Sequence, residues 1–382
     1  LSQEYRTPAW EQRKLGELTE SYSGGTPAAG ESEFYGGSIP FIRSAEIAAE
    51  STELFLTEKG YESSSARMVK PGDVLYALYG ATSGEVAVSR QKGAINQAIL
   101  AILPRDDCDA RYITAWLRKQ KGYIVTTYLQ GGQGNLSGVI VKNLEVFIPS
   151  LPEQQKIGFM LSHLDSLITL HQRKYDKLCV LKKSMLDKMF PKGGSLYPEI
   201  RFAGFTDPWE QRKLGELYQK NDERNTDGLG SERTLSVASM TFNSAGNGAD
   251  DSSLPNYKRL RLGDIAFEGH TNKEFAYGRF VLNDAGNGIM SPRFTCLRPI
   301  VEQEYSFWKY FIHSEKVMRP ILVNSTKSGT MMNELVVEDF LKQEILVPSL
   351  PEQRRIGAFF DRLDSLITLH QRKLELLRNI KK

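Results

Sequence analysis

The chain carries the same short sequences twice, at a constant offset of 199 residues. Three pairs are identical: WEQRKLGEL at 10–18 and 209–217, PSLPEQ at 149–154 and 348–353, and LDSLITLHQRK at 164–174 and 363–373. The stretches between the first two motifs, 19–148 and 218–347, do not match in that register. A period this long is not that of a solenoid. The pattern therefore indicates a duplication that kept a common frame around two inserts that diverged.

Each insert has the short apolar runs and turn residues that are typical of a mixed α/β domain. Predicted strands are SIPFI (38–42), GDVLYALY (72–79), AILAIL (98–103) and LEVFIP (144–149) in the first insert, and DIAFEG (264–269), GRFVL (278–282) and FTCLRP (294–299) in the second. Helices are predicted at 109–120 and 303–317. KPGDVLYALYG at 70–80 resembles RLGDIAFEGH at 261–270 at a different offset, which implies insertions and deletions between the copies.

A long helix is predicted after each PSLPEQ motif, because apolar residues then recur at three- and four-residue steps, as in a coiled-coil seam. Pro152 suits a first helical turn and Pro191 a stop. A helix from 152 to 190 would be about 57 Å long at ~1.5 Å per residue. An apolar seam cannot face water, so the simplest partner of each helix is the other, antiparallel about a pseudo-twofold axis that sends the inserts to opposite ends. The alternative is that each helix packs only on its own domain.

The predicted fold class is therefore α+β, with two α/β domains separated by two long antiparallel helices that form a coiled coil. The predicted segments are a first domain at 1–150, the first spacer helix at 151–191, a linker with the second domain at 192–349, and the second spacer helix at 350–382.

The composition is that of a globular protein without a membrane-spanning segment. No run approaches the roughly 18 apolar residues that a transmembrane helix needs. Cys108, Cys179 and Cys296 lie far apart and offer no disulfide framework, which fits a reducing cytoplasm. The net charge of +3 permits nucleic-acid binding but does not argue for it.

The common catalytic signatures are absent from the sequence. There is no phosphate-binding GxxxxGK[S/T] and no GxGxxG after a strand. No Pro-Pro dipeptide occurs, which excludes the Asn-Pro-Pro-aromatic motif of amino-methyl transfer, and no Glu-x-Lys triplet supports a nuclease. No HExxH or metal-spaced Cys/His set occurs. We therefore expect a binding protein with neither catalytic nor metal-ligating residues.

The order of the motifs resembles the specificity (S) subunit of type I restriction–modification systems. The resemblance is carried by WEQRKLGEL, SGGTP, IPFI, PGDVL, NQA, IPSLPEQQKI and LDSLI, and by YPEIRFAGFTDPWEQRKLGEL at 197–217. It implies two target-recognition domains, at 1–150 and within 192–349, that each read one half of a split double-stranded DNA site. The chain departs from the pattern where EYRTPAW lacks the RFAGF that precedes the second copy, and where the second helix stops early.

The same resemblance implies the partners. Two modification subunits would methylate adenine with S-adenosylmethionine, and restriction subunits with translocase and nuclease activity would join them. This chain itself would bind no cofactor and no membrane. Two identical frame surfaces suit two copies of one partner, and two different inserts suit two different half-sites.

Candidate base-reading residues lie in polar loops of the inserts and have the donors and acceptors that base edges require. They are Arg43, Tyr79, Thr82, Gln133 and Asn135 in the first insert, and His270, Asn272, Lys273, Arg293, Lys327 and Thr330 in the second. For each residue the alternative is an ordinary solvated loop position. LQGGQGNLS at 129–137 and NSTKSGTMMN at 324–333 precede PSLPEQ at matching places, which favours both loops.

His171 and His370 occupy the same seam position in the two copies. Antiparallel partners bring equivalent residues together only near a twofold axis, so we expect the two rings to face each other there. A polar pair in an apolar seam can fix its register.

Two other functions remain open from the sequence. One is a coiled-coil scaffold whose domains bind proteins, which steeply salt-dependent DNA binding would contradict. The other is a self-sufficient DNA methyltransferase with an unrecognised site, which methyl transfer by the chain alone would support.

Overall fold

The computed structural model describes residues 9–129, 135–243, 251–329 and 332–382. The chain divides into two compact units. The first unit runs to Leu170 and includes Leu377–Lys382, and the second unit is His171–Leu376. No helix in the described ranges is both long enough and apolar enough to cross a membrane.

The first unit holds ten strands and four complete helices among its described residues. The strands are β1 (Glu11–Lys14), β2 (Thr19–Ser23), β3 (Tyr35–Ile42), β4 (Phe55–Leu56), β5 (Arg67–Val69), β6 (Val74–Ala77), β7 (Val86–Val88), β8 (Gly93–Ile95), β9 (Ile99–Pro104) and β10 (Glu145–Ile148). The helices are α1 (Leu15–Leu18), α2 (Glu58–Glu62), α3 (Ala110–Leu129) and α4 (Gly138–Lys142), and the long helix α5 (Leu151–Lys188) begins in this unit.

The second unit repeats this plan with different loops. Its strands are β11 (Glu210–Lys213), β12 (Tyr218–Lys220), β13 (Leu235–Ser236), β14 (Thr241–Phe242), β15 (Lys258–Leu260), β16 (Ile265–Glu268), β17 (Arg279–Leu282), β18 (Gly288–Met290), β19 (Thr295–Pro299), β20 (Thr326–Lys327), β21 (Glu334–Leu335) and β22 (Glu344–Val347). Its helices are α6 (Leu214–Leu217), α7 (Tyr305–Phe311), α8 (Glu315–Leu322), α9 (Val337–Lys342) and the long α10 (Leu350–Lys381), whose last residues belong to the first unit.

The two units share one sheet topology. The central antiparallel sheet has the order β2-β9-β6-β7 in the first unit and β12-β19-β16-β17 in the second. The frame motifs form equivalent antiparallel pairs, since Glu11 pairs with Ile148 and Glu210 with Val347. The sequence duplication is therefore a duplication of structure.

The turn before the central strand shows that the inserts share an origin although their sequences differ. Asp73 Oδ2 accepts the backbone N–H of Lys70 at 2.9 Å, and Asp264 Oδ2 accepts that of Arg261 at 2.8 Å. Each turn also has a glycine at positive φ just before the aspartate. This matches the resemblance between 70–80 and 261–270 in the sequence, and it aligns β6 with β16.

The glutamine of each PSLPEQ motif anchors a long helix to its own unit. Gln154 Nε2 donates to the Pro149 carbonyl at 2.9 Å, and Gln353 Nε2 donates to that of Pro348 at 3.0 Å. The Gln154 Oε1 accepts the Asp109 N–H at the start of α3. Both glutamines are buried, so the motif fixes the direction in which each helix leaves its domain.

The two long helices are confirmed, at Leu151–Lys188 and Leu350–Lys381. Both ends of the first helix lie within two residues of the predicted bounds, 152 and 190. Within the second unit they run antiparallel, because His171 faces His370 while Lys182 Nζ lies 2.5 Å from Asp364 Oδ1. In the first unit Lys381 pairs with Asp165. Met160 belongs to the apolar repeat of the first long helix, yet 56% of its surface is exposed, so it does not pack in a seam.

The single helix predicted at 303–317 is wrong, because the chain breaks there into α7 and α8. His313 lies in the break, where its Nδ1 lies 3.2 Å from the Phe280 carbonyl oxygen and its ring packs against Phe275. The turn thus places a partly buried ring against strand β17, which the apolar periodicity alone does not reveal.

Candidate DNA interface

Three loops of the first unit meet around the short turn between β8 and β9. The Asn96 N–H donates to the Ile42 carbonyl at 3.1 Å, which joins this turn to the strand end that carries Arg43. The Leu136 N–H donates to the Leu78 carbonyl at 3.0 Å, which joins the loops that carry Asn135 and Tyr79. The structure therefore brings together loops that are far apart in the sequence.

Gln97 links the loop of Tyr79 to a further loop, that of Thr26, through its side chain. The Thr26 hydroxyl donates to Gln97 Oε1, and the Tyr79 hydroxyl group hydrogen-bonds the same amide. Burial raises the pKa of Tyr79, so this hydroxyl is protonated at neutral pH. The cluster presents amide and hydroxyl groups with both donors and acceptors, which is the chemistry that base edges match.

The other predicted residues of the first insert differ in how far they are already engaged. Arg43 is half-exposed and grips Glu46 through Nε at 3.1 Å and Nη2 at 2.7 Å. This contact lowers the pKa of Glu46. Thr82 has a buried hydroxyl without a hydrogen-bond partner among the described residues, and Asn135 is exposed. Gln133 lies outside the described residues.

Two predicted loops of the second unit also meet. The Asn333 N–H donates to the Gly269 carbonyl at 2.9 Å, which joins the loop that starts at His270 to the β20–β21 hairpin. Lys327 is exposed on that hairpin, and Lys273 is exposed on the neighbouring loop. Thr330 lies outside the described residues. This junction corresponds to the one between Leu78 and Leu136 in the first unit.

His270 and Asn272 shape their loop as well as lining it. His270 Nδ1 lies 2.5 Å from Glu268 Oε1, and Glu268 is buried at the end of β16. Asn272 Oδ1 accepts the N–H groups of Glu274 and Phe275, both at 2.8 Å. The amide nitrogen of Asn272 remains on an exposed residue as a donor toward solvent.

Arg293 lies in the loop between β18 and β19, the place that Asn96 and Gln97 occupy in the first unit. Its side chain is exposed, with the guanidinium 5.1 Å from the centre of the Phe294 ring. The equivalent turns of the two units thus carry an amide in one case and a guanidinium in the other. These groups prefer different bases, adenine and guanine respectively.

Asn96 and Gln97 are the candidate residues that the sequence analysis missed. The NQA motif that contains them was a signal, because two adjacent amides between apolar runs must lie in a turn. Asn96 Oδ1 is buried and has no partner among the described residues. Only the fold shows that this turn contacts the strand end before Arg43, the Tyr79 loop and the Thr26 loop.

The arrangement offers hydrogen-bonding groups and positive charge. Within the described ranges no three His, Cys, Asp or Glu side chains are grouped so that they could hold a metal ion. Burial raises the pKa of the thiols of Cys108 and Cys296 to about 12, so neither is an activated nucleophile. The two seam histidines, His171 and His370, lie apart from these loops on the long helices and face each other.

One family model and several known proteins are similar to this chain. The family model described as the type I restriction modification DNA specificity domain matches residues 8–179 and 206–379. A type I restriction enzyme specificity subunit (MjaIX) of Methanocaldococcus jannaschii is 24% identical over 97% of this chain and 90% of its own length. The EcoR124I/EcoR124II specificity subunit of Escherichia coli is 26% identical over 44% of this chain and 46% of its own length.

A solved structure shows the same fold. The crystal structure of the type I restriction–modification system S subunit from M. genitalium matches with a TM-score of 0.53 at 14% identity. The match covers 100% of this chain and 96% of that chain.

Proposed function

This chain belongs to the type I restriction–modification DNA specificity family, as a DNA-binding specificity subunit with two target-recognition domains, and we propose that it reads a split DNA target with one half-site for each domain. The observation that carries the proposal is the pair of equivalent loop junctions, at Leu78–Leu136 and Gly269–Asn333. Each junction gathers polar loops on a sheet of the same topology, yet the residues that they present differ.

The candidate contacts divide between two kinds of DNA recognition. The amides of Asn96, Gln97 and Asn272 and the guanidinium of Arg293 suit base edges in the major groove. The exposed ammonium groups of Lys273 and Lys327 suit phosphates, which position a protein without reading sequence. Arg43 would need to release Glu46 in order to contact DNA through its Nε–Nη2 edge, since both donors of that edge are engaged.

We further propose that the chain recruits the other subunits and performs no chemistry itself. The relatives are specificity subunits, not catalytic ones. The two copies of the frame suit two modification subunits, which would carry S-adenosylmethionine, and restriction subunits would join that complex. A subunit that reads chromosomal DNA would work in the cytoplasm.

Exchange of one insert tests the proposal. Residues 19–148 would be replaced by the corresponding insert of another specificity subunit, and methylation sites would be mapped in cells that also carry the modification subunit. We expect one half of the recognised site to change while the other half and the gap stay. Exchange of 218–347 is the matched control and should change only the other half. A change in both halves from either exchange would contradict independent reading.

A binding measurement separates this function from a protein-binding scaffold. The complex of this chain with its modification subunit should bind target DNA with an affinity that falls steeply as salt rises, because bound phosphates release counterions. Salt-independent binding, or binding to proteins alone, would favour the scaffold.

A further inference from the structure

Equivalent positions of the two frames differ in burial although their sequences are the same or similar. Trp209 is 2% exposed, whereas its counterpart Trp10 is 46% exposed. Phe359 is partly buried, whereas its counterpart Met160 is 56% exposed. Large apolar side chains at corresponding places on one frame should have corresponding surroundings. The difference therefore lies in what covers each frame.

In the second unit the segment that precedes the repeated WEQRKLGEL motif covers the start of α10. Trp209 packs against Phe307 and Phe311 of α7, and its backbone N–H donates to the Leu196 carbonyl of that segment at 3.0 Å. Arg201 donates from Nε to Glu352 Oε1 at 2.7 Å and from Nη2 to Glu352 Oε2 at 2.8 Å. The Phe202 ring lies 5.9 Å from that of Phe359, and the Arg355 guanidinium lies 5.6 Å from the Phe202 ring. An arginine and the phenylalanine after it thus seat this segment on the start of α10.

The first unit has the receiving side chains for such a segment but no described cover. Glu153, Lys156 and Met160 correspond to Glu352, Arg355 and Phe359. None of the three side chains makes a hydrogen bond, ion pair or ring contact with a described residue. At the spacing of Arg201 and Phe202 the sequence has Ser2 and Gln3, which lack both the cation and the ring.

An open cavity of about 700 Å³ lies at the start of α5, and of these three residues Lys156 lines it. Its lining includes Gly72, Ala110, Arg111 and Lys156. The corresponding space of the second unit is filled, because the ring of Tyr305 lies against Gly263. Ala110 is the counterpart of Tyr305. Gln154 accepts the N–H of the residue before Ala110, and Gln353 accepts the N–H of the residue before Tyr305. In the first unit the exposed ring of Phe159, where the second unit has Ala358, lines the cavity and leaves it open.

We propose that Glu153, Lys156 and Met160, with the adjoining cavity, form a docking site for a segment of another protein chain that presents an arginine followed by an aromatic residue. The carboxylate of Glu153 would take the arginine, and Met160 with the stem of Lys156 would take the ring. Charge and shape both favour this occupant, because the second unit seats the same chemistry on the same frame. The site goes beyond the proposed DNA reading, since it lies on the frame and not on the loops that gather at Leu78–Leu136.

A graft tests whether the site accepts such a segment. Residues 1–9 would be replaced by a copy of residues 192–208 in the otherwise intact chain, which raises the local concentration of the segment. We expect a higher Tm and a blue shift of Trp10 emission, measured as the difference from the matched Trp10→Phe chain. Changing the grafted arginine to glutamate should abolish both effects, and Glu153→Arg should then restore them.

A peptide in trans tests whether the segment can come from another chain. The peptide of residues 197–209 would be titrated to millimolar concentration against the intact wild-type chain. We expect saturable binding, lost with Glu153→Lys or Met160→Asp and lost in the grafted chain, where the site is filled. A peptide with glutamate in place of its arginine is the control that leaves the protein unchanged.

The proposal is overturned if the graft leaves Tm and Trp10 emission unchanged, or if its effects do not depend on Glu153. It is also overturned if the peptide shows no saturable binding to the wild-type chain. A dimer of the wild-type chain in sedimentation, dissociated by Glu153→Lys, would assign the site to a second copy and so overturn the choice of partner.

Discussion

The Nδ1 atoms of His171 and His370 lie 2.8 Å apart on antiparallel stretches of the two long helices. At this distance one nitrogen must donate and the other accept, so at least one ring is neutral. The two rings come from the same position of the duplicated sequence. A contact between equivalent residues therefore marks the place where the two helices are related by twofold symmetry.

We predict that acid weakens the packing of the two helices. Burial, followed by the charges of His171, Lys174 and Lys373, lowers the pKa of His370 below its ordinary value. The unfolded chain therefore takes up the proton first, and the free energy of unfolding falls as pH drops below the ordinary histidine range. Thermal unfolding should show a lower Tm at pH 5 than at pH 7. A chain with both histidines changed to leucine should lose this histidine-linked part of the difference, and an equal pH dependence in both chains would contradict the prediction.

Removal of Arg201 should destabilise the second unit strongly. The Glu352 side chain is 1% exposed, and Arg201→Met would leave its carboxylate buried without its charged partner. Such a loss typically costs about 3–5 kcal/mol. Chemical denaturation would measure it. Glu153→Gln changes the equivalent, partly exposed position of the first unit and should cost less than about 1 kcal/mol. Similar losses in the two variants would show that the ion pair is not what stabilises the second unit.

Gly357 should not tolerate a side chain. A Cβ there would lie 2.1 Å from Ser306 Oγ and 2.7 Å from the Phe307 backbone nitrogen, because α10 crosses α7 closely. We expect Gly357→Ala to cost about 1–3 kcal/mol through overpacking. Gly122→Ala on α3 is the control, since nothing lies within 4 Å of its Cβ, and it should stabilise the helix by up to about 1 kcal/mol. Unfolding midpoints of the two variants that shift in the same direction would argue against close packing at Gly357.

Single changes at the equivalent turns should each affect one half of the DNA target. Gln97→Ala in the first unit and Arg293→Ala in the second remove groups that suit base edges. We expect each change to cost about 1–3 kcal/mol of discrimination at its own half-site. Competition binding with DNA altered in one half at a time would measure this. Arg90→Ala is the control, because Arg90 is exposed and pairs with Glu50. Uniform weakening against every sequence would identify a phosphate contact instead.

Lengthening both long helices should widen the gap between the half-sites. Four residues inserted after Lys174 and four after Lys373 add about 6 Å to each helix at ~1.5 Å per residue. That distance is about two base pairs at ~3.4 Å each. Insertions within 175–186 are unsuitable, because Leu178, Met185 and Leu186 pack against the core of the second unit. Methylation mapping would report the gap, and an unchanged gap would mean that the helices do not set it.

The frame could be predicted from the sequence, whereas the surface that it presents could not. Identical motifs fixed the long helices to within two residues of Leu151 and Lys188, because burial of an apolar stripe depends on local periodicity. The role of Gln97 depends on Thr26 and Tyr79, which reach it only through the sheet. Arg43 has the residue type that base reading requires, but its ion pair with Glu46 depends on a turn that the sequence does not show.

The strand pairs β1–β10 and β11–β22, which close the two inserts, determine which inserts one chain can carry together. The Leu15 N–H donates to the Leu144 carbonyl at 2.9 Å, and the Leu214 N–H donates to the Gln343 carbonyl at the same distance. Each insert therefore starts and ends at neighbouring points, and both inserts meet the same geometric condition. A chain with the first insert in both positions should fold, and its two half-sites would have one sequence. A twofold relation between the two positions would make that target a palindrome, so the sequence of one insert would be enough to specify a complete symmetric recognition site.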